Sequence, residues 1–160
     1  MRIAVISDTH LPRGTRRLPA RLLEECAAAD AILHAGDLCT RDVLSVLEAY
    51  APVHAVRGNN DEADLARLLA VELVVELAGV RIGMVHDAGP VAGRPARLLG
   101  RFPACAAVVF GHSHLPLLER ERGMLILNPG SPTERRRAPT FTMASIVVDD
   151  HRLLAELIEV

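Results

Sequence analysis

The stretch Ala106-Ala107-Val108-Val109-Phe110-Gly111-His112-Ser113-His114 decides how this chain is read. An apolar run of strand length stops at a glycine, and two of the chain's seven histidines follow at once. A continuous apolar run bounded by a turn residue predicts a strand buried on both faces, hence a sheet covered by other elements. Similar runs rich in β-branched residues occur at 3–6 (IAVI), 31–34 (AILH), 53–56 (VHAV), 81–85 (RIGMV), 124–127 (MLIL) and 143–148 (MASIVV). Between several of them lie segments of helical periodicity that begin near Leu18, Thr40, Glu62 and Gly93. Strand, helix, strand is the order over the first two-thirds, which predicts a layered α/β domain. After Phe110 the candidates at 115–119, 124–127, 141–148 and 153–159 follow one another without a helix. A mostly antiparallel portion is therefore expected to add to, or pack against, the first sheet. No repeat, linker or composition break divides the chain, so residues 1–160 are expected to form a single domain.

The second signal comes from what stands directly after each run. IAVIS is followed by Asp8-Thr9-His10, AILHA by Gly36-Asp37, VHAVR by Gly58-Asn59-Asn60-Asp61, IGMV by His86-Asp87, and AAVVF by Gly111-His112-Ser113-His114. In an α/β sheet the carboxyl ends of the strands open into the crevice where ligands bind, so these groups should converge. Asp8, His10, Asp37, Asn59, His86, His112 and His114 make seven candidate ligands, too many for one ion and suited to two. Two divalent ions about 3.5–4 Å apart clamp a phosphoryl group between them, which needs a bridging carboxylate. Asp37, alone at its strand end, is the natural bridge. Gly36, Gly58 and Gly111 are expected to let the backbone turn tightly before a ligand is aimed. Each short motif also has a plain reading: Asp8 or Asp37 as a helix cap, Gly58-Asn59 as a turn. Their joint recurrence at five strand ends favours the metal reading. His54 is expected to be a buried, hydrogen-bonded histidine and His151 a hairpin-turn residue.

Composition narrows the function classes. The net charge of −2, with all 18 basic residues arginine, gives no basic footprint, and three Phe, one Tyr and no Trp supply few stacking platforms. No stable nucleic-acid complex is expected, and a nuclease acting on long polynucleotides is a poor fit. Cys26, Cys39 and Cys105 form no CxxC pair, which argues against a disulfide framework or a zinc-thiolate knuckle. A strand-like run begins at Arg2, and no apolar stretch approaches membrane length, so a cytoplasmic, membrane-free location is expected. The absence of GxGxxG after the first strand removes a dinucleotide-binding reading.

The ordered set DTH, HAGD, GNND, a histidine after a strand, GHSH, and NPGS at 128–131 resembles the calcineurin-like metallophosphoesterase superfamily, in particular its small single-domain YfcE-type phosphodiesterase branch. The resemblance covers nearly the whole chain. It implies an α/β fold, a four-layer α/β/β/α sandwich of two mixed sheets flanked by helices, around two divalent ions, manganese foremost, with zinc, nickel or iron as alternatives. It also implies a division of ligands: Asp8, His10, Asp37 and His114 on one ion, and Asp37, Asn59, His86 and His112 on the other. His34, before the glycine-aspartate pair, would support the ligands from behind. The resemblance further places Asn60 where many relatives have a histidine that assists the leaving group. Asn60 is no general acid near neutral pH, although its amide could donate to a phosphate oxygen. Asp87, where glycine usually follows the histidine, would orient a ligand, repel a phosphate or sit in a solvated turn.

These expectations combine into a hydrolase. A metal-bridging hydroxide attacks phosphorus, and leaving groups that need little protonation are favoured, so a small phosphodiester or nucleotide-like substrate is expected. The arginines at 13, 16, 17 and 135–137 are expected either to border the crevice or to be solvated surface. A homodimer or homotetramer follows from symmetry base rates. The competing class is a non-catalytic protein-binding scaffold with the same fold, disfavoured here because all seven ligand positions keep metal-competent side chains.

Overall fold

The structure, a computed structural model, describes residues 1–150 and 152–160; His151 lies outside the described residues. Among the described residues ten strands form two five-stranded sheets. The first has the order β10 (Arg152–Glu159), β9 (Thr142–Asp149), β1 (Arg2–Ile6), β2 (Ala31–His34), β3 (Val53–Ala55). The second has the order β4 (Glu72–Leu77), β5 (Val80–Val85), β6 (Ala107–Val109), β8 (Met124–Asn128), β7 (Leu117–Glu121). β1, β2 and β3 run parallel, as do β5, β6 and β8, while β9 is antiparallel to β1 and β10, β4 to β5 and β7 to β8. Both sheets are thus mixed.

The period-2 alternation of side chains explains the layers. On β1, Ile3 and Val5 face the second sheet with Leu33, Met84, Val109, Leu127 and Ile146, while Ala4 and Ile6 face the helices. Those helices, α1 (Ala20–Ala27), α2 (Arg41–Glu48) and α3 (Ala63–Leu68), bury Leu22, Cys26, Val43, Leu44, Leu47 and Leu65 on the outer face of the first sheet. On the second sheet Val108 and Ile126 point the other way, onto Leu98 of α4 (Arg94–Arg101) and Phe102. Central strands with apolar cover on both sides need continuous apolar sequence, and each fully buried Ile or Leu contributes roughly 1.5–3 kcal/mol. Four layers result: helices, sheet, sheet, helix.

Three details depart from the sequence expectation. β4 was not read from the sequence; it pairs with β5 through a turn at Ala78 (φ 49°) and Gly79 (φ 74°), with Val75 buried and Leu73 and Leu77 packed on the inter-sheet core. The carboxyl-terminal portion does not join one sheet. β7 and β8 extend the second, with β8 parallel to β6, and β9 and β10 extend the first. His54 is half-buried and not buried, because β3 is the edge of its sheet.

Candidate metal centre

Parallel neighbours put their carboxyl ends side by side, and short backbone bonds tie the loops that leave them. Asp8 N donates to Gly36 O at 3.0 Å, His10 N to Asp37 O at 3.0 Å and Gly111 N to His86 O at 2.9 Å. His112 N donates across the two sheets to Asp8 Oδ2 at 3.0 Å. The loops meet so closely that a Cβ at Gly111 would stand 1.8 Å from Ser7 Oγ, and one at Gly58 would stand 2.1 Å from Asp37 Oδ1. Only Gly36 (φ +91°) needs a left-handed turn among the three motif glycines; the other two serve close approach. Asp8, His10, Asp37, His112 and His114 also have positive φ, between 46° and 68°. Such conformations cost free energy in non-glycine residues and persist where surrounding contacts over-determine them.

All seven candidate ligands come together. His114 Nε2 lies 3.1 Å from His10 Nε2 and 3.3 Å from Asp8 Oδ1, and His10 Nε2 lies 3.8 Å from Asp8 Oδ1. Asp37 Oδ2 is 3.4 Å from both His10 Nε2 and His86 Nε2. Asn59 Oδ1 is 3.1 Å from His86 Nε2 and 2.9 Å from His112 Nδ1. Ligand atoms bonded at ~2.1 Å to a common ion stand on the order of 3 to 4 Å apart, so these separations fit shared cations. Asp8 gives a second test. Its Oδ2 is occupied by Ser7 Oγ (2.6 Å) and His112 N, while Oδ1 is buried without a hydrogen-bond partner and faces the two imidazoles. A buried carboxylate oxygen without a donor is costly unless a cation compensates it.

The imidazoles are oriented from behind. His86 Nδ1 donates to Ala35 O at 2.7 Å and His114 Nδ1 to Glu134 O, which leaves each Nε2 for the centre. Burial lowers the pKa of His10, and Asp37 and Asp8 oppose that shift. Burial also works to lower the His86 pKa, but the bond and charge of Asp37 and the charge of Asp8 outweigh it and raise it. For Asp37 burial pushes upward, yet the His86 and Asn60 hydrogen bonds hold its carboxyl well below the usual carboxylate range. Asp37 therefore stays anionic, and a cation that replaces the His86 proton would release that proton.

The remaining expected residues surround this cluster. Asn60 commits its backbone N–H and one side-chain N–H to Asp37, both at 2.7 Å, and its Oδ1 accepts from Arg13 at 3.2 Å. His34 lies fully buried behind the cluster, with Nε2 3.2 Å from Thr9 Oγ1, and burial pushes its pKa down to about 3. Asp87 is exposed and accepts from Gly89 N at 2.7 Å, a turn residue. Arg136 reaches His112 O at 3.4 Å and Arg16 pairs with Glu134, whereas Arg135 caps its own loop and Arg17 borders an apolar groove beside α1 and α2.

Several site-building roles were not read from the sequence. Asp61 bridges two loops by accepting from Gly58 N (2.6 Å) and Cys39 N (2.9 Å). The NPGS segment has a mechanical role: Asn128 Nδ2 donates to Gly111 O at 2.9 Å and Ser131 Oγ to Asp8 O at 2.7 Å. Arg57 and Arg101 line a cleft of about 520 Å³ beside Asn59, His86 and His112. The aspartate directly after the Gly58-Asn59-Asn60 turn is the one local signal that could have revealed the role of Asp61; the cleft arginines have none, because their place depends on tertiary packing.

Known proteins resemble this chain in sequence and in fold. The model of the calcineurin-like phosphoesterase superfamily domain matches residues 1–151. A relative from Methanothermobacter thermautotrophicus, described as "Probable metallophosphoesterase", is 36% identical over 168 residues, covering 99% of this chain and 92% of its own. The solution NMR structure of a Thermotoga maritima protein superposes with a TM-score of 0.76 at 30% identity, covering 99% of both chains. Wild-type Vps29 from Entamoeba histolytica, solved with zinc, superposes with a TM-score of 0.79 at 21% identity over 99% of each chain, a likeness of fold. Among the described residues no helix is long and apolar enough to cross a membrane. Family membership implies a hydrolase of phosphate esters that uses divalent metal ions, and the strand-end cluster offers the candidate ligands. The chain belongs to the calcineurin-like phosphoesterase superfamily.

Proposed function

We propose that this protein hydrolyses small phosphodiesters at a centre of two divalent ions, manganese foremost. The observation that carries the reading is Asp37, whose Oδ2 stands at the same 3.4 Å from an imidazole of each half of the cluster. Asp8, His10, Asp37 and His114 would hold one ion; Asp37, Asn59, His86 and His112 would hold the other. When bound, such ions supply a water of lowered pKa and neutralise charge on the phosphoryl oxygens. The protein's own part is to orient: Ala35 O, Glu134 O and Asn60 fix His86, His114 and Asp37 before substrate arrives. Asn60 holds no transferable proton near neutral pH, so the leaving group must depart with little protonation, as an aryl or nucleotidyl oxygen does. The cleft beside Asn59 and His112 is the approach for that substrate, with Arg57 and Arg101 along it.

The test is hydrolysis of bis(p-nitrophenyl) phosphate beside p-nitrophenyl phosphate by metal-stripped protein titrated with manganese. Diester cleavage should appear with added ion, saturate near two equivalents and exceed monoester cleavage. Asp37→Asn should lower it by at least ~100-fold. Folded protein that binds two ions and cleaves neither ester would overturn the reading in favour of a protein-binding scaffold.

A further inference from the structure

We infer that Glu134, a residue outside every motif that marked the site, is a further ligand of the ion held by Asp8, His10 and His114. The inference rests on the two-ion reading above. Residues 131–134 are pinned to the centre through their polar groups. Ser131 Oγ donates to Asp8 O at 2.7 Å, Thr133 Oγ1 to Thr9 O at 2.5 Å, and Glu134 N to Ser131 Oγ at 2.9 Å. The Glu134 carbonyl accepts from His114 Nδ1 and so turns His114 Nε2 toward Asp8 and His10. The backbone of Glu134 already positions one candidate ligand.

Its side chain does something that positioning does not require. It folds into the same pocket, where Oε2 lies 3.7 Å from His10 Nε2, buried and without a hydrogen-bond partner. The other oxygen, Oε1, is 3.0 Å from Arg16 Nη2. A glutamate that served only to pair with arginine would leave its second oxygen to water or to the same guanidinium fork. Here that oxygen is desolvated, which is unfavourable unless a cation faces it. Asp8 Oδ1 is likewise buried without a hydrogen-bond partner, 3.3 Å from His114 Nε2 and 3.8 Å from His10 Nε2. Two unpartnered carboxylate oxygens, Asp8 Oδ1 and Glu134 Oε2, thus face the same His10 Nε2, at 3.8 Å and 3.7 Å, separations suited to ligands on one ion. Arg16 has a consistent part: it takes Oε1 and leaves Oε2 to the centre. A third carboxylate beside Asp8 and Asp37 makes this half the more anionic and oxygen-rich, so its ion is the tighter of the two, and hard ions such as manganese are favoured there.

The test is equilibrium binding of manganese, by calorimetry, together with the visible absorption of cobalt(II) added to metal-stripped wild type, Glu134→Gln, Glu134→Ala and Arg16→Ala. Glu134→Gln, which keeps the side chain's shape, should weaken the tighter ion about 10- to 100-fold, leave the weaker one within about twofold, and alter the cobalt spectrum of the first equivalent. Arg16→Ala should weaken it less than Glu134→Gln does. If wild type binds two ions and both Glu134 variants bind them with unchanged affinity and spectrum, the ligand role is overturned while the two-ion reading stands. Equal weakening by Glu134→Gln and Arg16→Ala with an unchanged cobalt spectrum also overturns it, since a loop latch would behave so. Wild type that takes up fewer than two ions overturns the two-ion reading on which the inference stands, and the inference with it.

Discussion

The two halves of the candidate metal centre use the same kinds of side chain in opposite surroundings. Asp8, His10 and His114 are 0% exposed, whereas Asn59 and His112 are exposed at the mouth of the cleft. The buried half is held by NPGS, by Thr133 and by the loop after β1, so its groups are fixed in advance. The open half has Asn59 between two imidazoles and free space beside it. On the proposed two-ion reading the difference is a division of labour: the buried half would retain its ion, and the open half would receive substrate. Preorganised groups in a water-poor pocket bind an ion tightly, and an ion at the rim keeps positions for substrate.

His114→Ala against His112→Ala gives the largest separation. Loss of the buried His114 should destabilise the fold by roughly 1–3 kcal/mol and abolish the tighter manganese site. His112→Ala should leave the urea midpoint nearly unchanged, within about 0.5 kcal/mol, while diester hydrolysis falls ~100-fold. Urea unfolding and manganese calorimetry on the two variants check this, and the reverse order of stabilities would break the comparison. Arg57→Ala sharpens the receiving side. An exposed charge contact is worth on the order of 1 kcal/mol, so KM for a diester should rise about fivefold with kcat little changed and stability unaffected.

The smallest effect belongs behind the buried half. Burial lowers the His34 pKa from 6.5 to about 3, with the charges of Asp8 and Asp37 opposing. Between those values the unfolded chain binds a proton that the folded chain does not, so stability must fall as pH drops through this window. His34→Gln should remove up to one proton of that dependence, read as a shallower change of the metal-free urea midpoint between about pH 6.5 and pH 4. An unchanged slope would mean that His34 is not held neutral.

Much of this was legible in the sequence because strand runs and their polar followers are local signals. Apolar continuity at Ile3–Ile6 and Val108–Phe110 announced covered sheets, and the residue types at 8, 10, 37, 59, 86, 112 and 114 announced ion chemistry. β4 escaped because Glu72, Leu73, Val74, Val75, Glu76 and Leu77 show no clean alternation on an outer strand. The distribution of β7 to β10 between two sheets is a matter of topology, which periodicity does not encode. Asn60 was read as able to donate to a phosphate oxygen; that its backbone N–H and one side-chain N–H bind Asp37 depends on the meeting of the loops after β2 and β3, which no local signal encodes. Glu134 directly precedes three arginines in sequence and reads as solvated charge; only the fold brings its Oε2 beside His10.

The most direct measurement is anomalous scattering from crystals of the protein grown with manganese. The account predicts two peaks about 3.5–4 Å apart with the Asp37 carboxylate between them, one against Asp8, His10 and His114 and the other against Asn59, His86 and His112. A single peak, or ions bound away from the strand ends, would contradict it.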